Sequence, residues 1–122
     1  MAAKLILIVE DSPIERKIAE AVCLDQGYRT VVVTEGDKAL DAAIEHKPDL
    51  ILLDVILPNK NGFQVCRQLK NDEATKNVKV VIVSSKDQAS DKFWGLKQGA
   101  DDYLTKPYKE EDLKAIIEKN IS

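Results

Sequence analysis

The chain has one histidine, one tryptophan, one methionine and two cysteines, and its longest apolar run is the five residues Leu5-Ile6-Leu7-Ile8-Val9. Each scarcity excludes something. No stretch approaches the roughly 20 apolar residues that a membrane-spanning helix needs. Met1-Ala2-Ala3-Lys4 and the run behind it are too short for a secretory leader and carry no small-residue cleavage site, so they read as a first strand. Cys23 and Cys66 lie far apart, each in a helical pattern, which reads as two buried free thiols in a reducing cytoplasm rather than a disulfide or a metal pair. His46 sits beside Lys47 and Pro48 at a helix end, with no acid or cysteine in ligand spacing, which argues against a metal or catalytic role. Basic residues are in deficit, 18 against 21 acidic for a net charge of -3, which argues against a nucleic-acid footprint. Glycine-rich loops are missing too: the first strand is followed by Glu10-Asp11, which would repel a nucleotide phosphate unless a metal intervened. Linkers, repeats and low-complexity segments are likewise absent, so residues 1–122 read as one domain with no output domain.

Apolar runs alternate five times with helical stripes. Strands are expected at about 4–9, 30–34, 50–54, 79–84 and 102–105. Between them run the stripes Ile14, Ile18, Ala21, Val22; Ala39, Leu40, Ala43, Ile44; Val65, Cys66, Leu69; and Ala89, Phe93, Leu96, with Leu113, Ile116, Ile117 and Ile121 in a last helix. Gly27, Pro48 and Gly99 supply the stops. The first, third and fourth strands are apolar at consecutive positions, as in parallel strands covered on both faces, while the second has polar ends and suits an edge. The fold class that follows is α/β, an open, doubly wound, five-stranded parallel sheet with right-handed crossovers.

Chemistry gathers where the strands end. Glu10-Asp11 follows the first, Asp54 the third, Ser84-Ser85 closes the fourth and Lys106-Pro107 follows the fifth. In such sheets ligands sit beyond the carboxyl ends of the strands. Close carboxylates repel unless a cation intervenes, and oxygen donors without His or Cys favour Mg²⁺ completed by phosphate oxygens. A carboxylate can also be the nucleophile in phosphoryl transfer, with Lys106 and Ser84 stabilising the transferred oxygens. Taken singly each feature has a plainer reading: Asp11 or Ser12 caps a helix with Pro13 in its first turn, a lone Asp ends a strand, Lys-Pro makes a turn. Their coincidence at three strand ends favours the chemical reading.

ILIVEDS around Glu10-Asp11, LILLDVILPNKNG around Asp54, VVIVSSK around Ser84-Ser85 and GADDYLTKP around Lys106-Pro107 make the chain resemble a response-regulator receiver domain over nearly its whole length. The resemblance implies a flavodoxin-like sheet of strand order 2-1-3-4-5. It implies that Asp54 accepts a phosphoryl group from a histidine kinase or phosphotransfer domain. Mg²⁺, with Mn²⁺ as a substitute, would be held by Glu10, Asp11, Asp54 and the main-chain carbonyl of Ile56. Ser84 and Ser85 would contribute on the phosphoryl side, Lys106 would pair with the phosphoryl oxygens across a cis Lys106-Pro107 bond, and Pro58 and Gly62 would shape the loop after Asp54. Tyr103 would turn inward as Ser84 moves, and the face of helix 4, strand 5 and helix 5 would be read by a downstream protein partner. The expected module is a monomer, with phosphorylation-dependent dimerisation as an open alternative. It works without enzymatic output, nucleic acid or membrane.

Ile56 and Lys86 occupy positions that tune phosphoryl lifetime in this family, and an apolar Ile56 gives no help to an attacking water, so slow autodephosphorylation is expected. A phosphohydrolase of the haloacid-dehalogenase type would want a second acid at position 56. A pseudo-receiver, binding partners without phosphate, would usually lack part of the cluster that is retained here. The segment from Lys86 to Pro107 is similar to stand-alone receivers of chemotaxis-like pathways that control type IV pilus motility. Trp94, about 100° round the helix from Phe93, fits either a partner contact or half-buried packing. The Lys- and Glu-rich helix from Lys109 to Lys119 presents a solvated face.

Overall fold

The computed structural model describes residues 3–121. The strands are β1 (Leu5–Val9), β2 (Arg29–Val33), β3 (Leu50–Leu53), β4 (Lys79–Ser84) and β5 (Asp102–Thr105). The helices are α1 (Pro13–Asp25), α2 (Ala39–His46), α3 (Gly62–Asn71), α4 (Ala89–Lys97) and α5 (Glu110–Ile121), with a single 3-10 turn over Gly36–Lys38 before α2. All strand pairs are parallel and the sheet order is β2-β1-β3-β4-β5. This is the five-stranded, doubly wound α/β fold with strand order 2-1-3-4-5.

Strand alternation divides the interior in two. Leu7, Val9, Ile51, Leu53, Val80 and Ile82 face one side, where Ala39 and Ala43 of α2 and Val65, Cys66 and Leu69 of α3 cover them. Ile6, Ile8, Leu50, Leu52, Val81 and Val83 face the other, under Ala19, Val22 and Cys23 of α1 and Leu113, Ile117 and Ile121 of α5. Register keeps the two sets apart, since Leu7 lies beside Ile51 and Ile51 beside Val80. Each Leu or Ile buried this way contributes about 1.5–3 kcal/mol, and consecutive positions are buried because both faces are covered.

Two helices turn differently from their predicted stripes. On α1 the inward row is Ala19, Val22 and Cys23, while Ile14 (73% exposed), Ile18 and Ala21 face out. The small side chains at 19 and 23 let this helix lie close on the sheet. On α4 the only buried residue is Gly95, and Phe93 (62% exposed), Trp94 and Leu96 all face out. The reason is steric: a Cβ at Gly95 would lie 2.9 Å from Ile82 Cδ1 and 3.3 Å from the Tyr103 ring. The helix is seated on the sheet at a point with no room for a side chain, so its large residues are carried outward. Ile44 of α2 is likewise on the outer side. The helix stops lie as expected, with Gly27 at φ +85° and Gly99 at φ +102° after α1 and α4, and a left-handed Lys47 before Pro48.

Candidate functional site

Three side chains leave the sheet one position past a strand, so the backbone ladder aims them. Val9 and Leu53 are register partners, and the ladder runs one step further through Asp54 N–H donating to the Val9 carbonyl at 3.0 Å. Glu10 N–H donates to the Val33 carbonyl at 3.0 Å, and Lys106 N–H to the Ser84 carbonyl at 2.8 Å. Glu10, Asp54 and Lys106 therefore meet at the carboxyl edge of the sheet. All three are almost wholly buried, the Lys106 side chain at 8% exposure. The α3 N-terminus closes on them. Asn61 caps it with a reciprocal bond to Gln64, and Gly62 N–H donates to the Val55 carbonyl at 2.8 Å. A Cβ at Gly62 would lie 2.1 Å from the Asp54 carbonyl oxygen, so only glycine allows the approach.

Lys106 Nζ is the hub. It donates to Glu10 Oε1 at 2.5 Å, to Asp54 Oδ2 at 3.0 Å and to Glu15 Oε2. Glu10 Oε2 accepts from Ser12 N–H at 3.1 Å, and Asp54 Oδ1 from Ile56 N–H at 3.2 Å. Burial pushes the Glu10 carboxyl above its ordinary range, Asp54 adds to the rise, and the Lys106 bond opposes it. Burial alone would lower Lys106, but the bonds from Glu10, Glu15 and Asp54 outweigh it and hold the ammonium well above the usual lysine value.

Asp11 is exposed and stands outside this cluster. Glu10, Glu15 and Asp54 instead bring one carboxylate oxygen each within 4.8 Å of one another. Sequence reasoning missed Glu15. Its spacing, Ser12-x-x-Glu15, is that of a capping box, in which a Glu at the third helical position reaches back to the cap backbone. Half of that box is present, with Glu15 N–H donating to Ser12 Oγ at 3.4 Å. The other half is taken by Glu10, which holds the Ser12 N–H and leaves the Glu15 carboxylate for Lys106.

On the far side, Ser84 is fully buried and its Oγ accepts from Lys86 N–H at 3.4 Å. Tyr103 donates its hydroxyl to the Lys86 carbonyl at 2.6 Å, tying β5 to the loop after β4. Ser85 and Lys86 are exposed, Ile56 lies exposed beside the site, and the Lys106-Pro107 bond is cis.

The family model described as response regulator receiver domain matches residues 6–118. Protein PilH of Pseudomonas aeruginosa is 45% identical over 112 residues, covering 92% of this chain and 93% of PilH. Against two longer relatives, DNA-binding response regulator MtrA of Mycolicibacterium smegmatis and phosphate regulon transcriptional regulatory protein PhoB of P. aeruginosa, both 40% identical, the chain spans about half of their length. Among solved structures, the receiver domain of the sensor histidine kinase PA1611 from P. aeruginosa, which has a magnesium ion in its active-site cleft, superposes with a TM-score of 0.91 at 32% identity over 98% of both chains. The beryllofluoride-activated receiver domain of Klebsiella pneumoniae RstA gives 0.91 at 30% identity over 97% of this chain and 98% of that one. The chain belongs to the response regulator receiver domain family.

Proposed function

We propose that Asp54 accepts a phosphoryl group from a phosphohistidine on a histidine kinase or phosphotransfer domain, and that the protein signals by contact with a protein partner. The observation that carries this is the buried Lys106 ammonium bonded at once to Asp54 and Glu10. Cation and carboxylate are already assembled where phosphoryl charge would arrive, in a setting where their interaction is strong. Ser84, buried at the end of the neighbouring strand, supplies a hydroxyl for the phosphoryl oxygens. Its movement would release Tyr103 and Lys86, whose hydrogen bond spans the start of the α4 side.

The donor chemistry fits Mg²⁺. Glu10 and Asp54 offer hard oxygens, no His or Cys joins their cluster among the described residues, and Lys106 neutralises in part the charge that a divalent ion would neutralise more fully. Glu10, Asp54 and the Ile56 carbonyl would hold it, and Asp11, which stands exposed outside the cluster, would turn in to join them. When bound, the ion would offset the charge of the phosphoryl group. The chain's own residues do the rest: Asp54 supplies the attacking oxygen, Lys106 orients the incoming group, and Ile56 leaves no polar group to position a hydrolytic water. The output would be regulatory, through the face of α4, β5 and α5. The pathway proposed is chemotaxis-like or pilus motility control in the cytoplasm, on the likeness of the Lys86 to Pro107 segment to stand-alone receivers of such pathways.

The test is incubation with a small phosphodonor, and separately with beryllofluoride, with and without Mg²⁺, comparing wild type with Asp54→Asn. Mg²⁺-dependent modification that Asp54→Asn abolishes is the expected result. A wild type that responds to neither would leave a pseudo-receiver, folded alike and signalling without phosphate. The same assay followed over time should show slow loss of phosphate, accelerated by Ile56→Asn; rapid loss from the wild type would overturn the lifetime reading.

A further inference from the structure

An ammonium group has three N–H donors, and at Lys106 all three are taken, by Glu10, Asp54 and Glu15. A phosphoryl oxygen that is to pair with Lys106 must displace one of them. The surrounding cavity is about 20 Å³, room for roughly one water molecule, so a phosphoryl oxygen and all three carboxylates do not fit around the ammonium together.

The three carboxylates differ in what leaving costs them. Glu10 is buried and held a second time by the Ser12 N–H. Asp54 is the attacking group itself and is held by the Ile56 N–H. Glu15 has 42% of its side chain in solvent and sits on the first turn of α1, so it regains water at little cost when it lets go. The other two would each strand a buried oxygen.

We propose that Glu15 is a positioning residue for phosphoryl uptake: it occupies the third donor of Lys106 in the phosphate-free state and is the ligand that a phosphoryl oxygen displaces. This rests on the reading of Asp54 as acceptor. With phosphoramidate as donor, an Asp54 oxygen attacks phosphorus, the P–N bond breaks and its electron pair leaves with ammonia. Charge balances as the monoanionic donor and the carboxylate give a dianionic acyl phosphate. Lys106 then exchanges Glu15 for an oxygen of the transferred group. Glu15 acts against uptake in two ways, by holding the donor and by adding negative charge where an anion must enter. In the resting site three carboxylates face one ammonium, a local excess that also repels the phosphodonor.

The test compares wild type, Glu15→Gln and Glu15→Asp at saturating Mg²⁺ with phosphoramidate. Glu15→Gln should take up phosphoryl roughly three- to tenfold faster, the size of effect expected for one partly exposed charged contact. Glu15→Asp, which keeps the charge but shortens the reach, should be faster than wild type by a smaller factor. The Lys106 side-chain NMR signals give a readout that a merely structural role would not move. They should differ between wild type and Glu15→Gln in the free proteins and coincide once beryllofluoride is bound, because Glu15 has by then left. A Glu15→Gln rate within twofold of wild type, or a signal difference that persists with beryllofluoride, overturns the proposal alone. A Glu15→Asp rate equal to wild type beside a fast Glu15→Gln assigns the effect to charge at a distance and also overturns it. A wild type that binds neither phosphoryl nor beryllofluoride overturns the acceptor reading together with this one.

Discussion

At the scale of single residues, Asp102 shows a carboxylate serving the fold rather than the site. Burial raises its pKa, but the Asn120 amide at 3.2 Å, the Tyr103 N–H at 3.0 Å and the Lys119 ammonium at 3.2 Å prevail and hold it below the ordinary carboxylate range. A carboxyl depressed in the folded state adds stability above its unfolded pKa of about 3.9, and that stability is lost as pH falls through the lower folded value. Asp102→Asn should therefore be less stable than wild type at neutral pH, with the gap closing as pH drops below about 4. Denaturant melts at a series of pH values check this; a constant gap would mean that packing, not charge, is what the substitution removes.

At the scale of elements, α4 and α5 make a contrast. Phe93 and Leu96 look like core residues in composition but reach solvent, whereas Leu113 and Ile117 of α5 are fully buried. Phe93→Ser and Leu96→Ser should each change stability by no more than about 0.5 kcal/mol, and Ile117→Ala should cost about 2–5 kcal/mol. Chemical denaturation of the three variants decides it. This contrast also marks the limit of what the sequence reveals. Consecutive apolar residues in β1, β3 and β4 are the mark of strands covered on both faces, so topology was legible, and with it the meeting of Glu10, Asp54 and Lys106, each fixed one step past a strand. The inward faces of α1 and α4 were not legible, because small residues choose them: Ala19 and Cys23 on one, Gly95 on the other. Periodicity counts apolar positions, and close approach is a property of the opposing surface. Glu15 was hidden for a related reason. A local capping pattern accounted for it, and only the tertiary meeting of Glu10 with Ser12 frees its carboxylate.

For the whole molecule, the sheet separates two cores, and each holds one thiol. Burial pushes Cys23 up to about 12, helped by nearby Glu20, and Cys66 up to about 11. A raised pKa and near-zero exposure make both poor nucleophiles in the folded state. Both should resist a thiol reagent in the native protein and become reactive at the same denaturant concentration, as expected if the two cores melt together. Labelling resolved by mass spectrometry for each cysteine would show it; Cys66 reacting ahead of Cys23 would mean that the α2–α3 side opens by itself.

Gly95 has one more consequence for the molecule as a mechanical object. Most helices are pegged to a sheet by side chains that interlock, and moving them means unlocking the pegs. Here α4 meets Ile82 and Tyr103 with bare backbone. That contact works as a bearing rather than a rivet: the helix can slide or roll over it without tearing a large side chain out of a socket. Any such movement would carry Phe93, Trp94 and Leu96 together, changing where this apolar group lies on the protein surface.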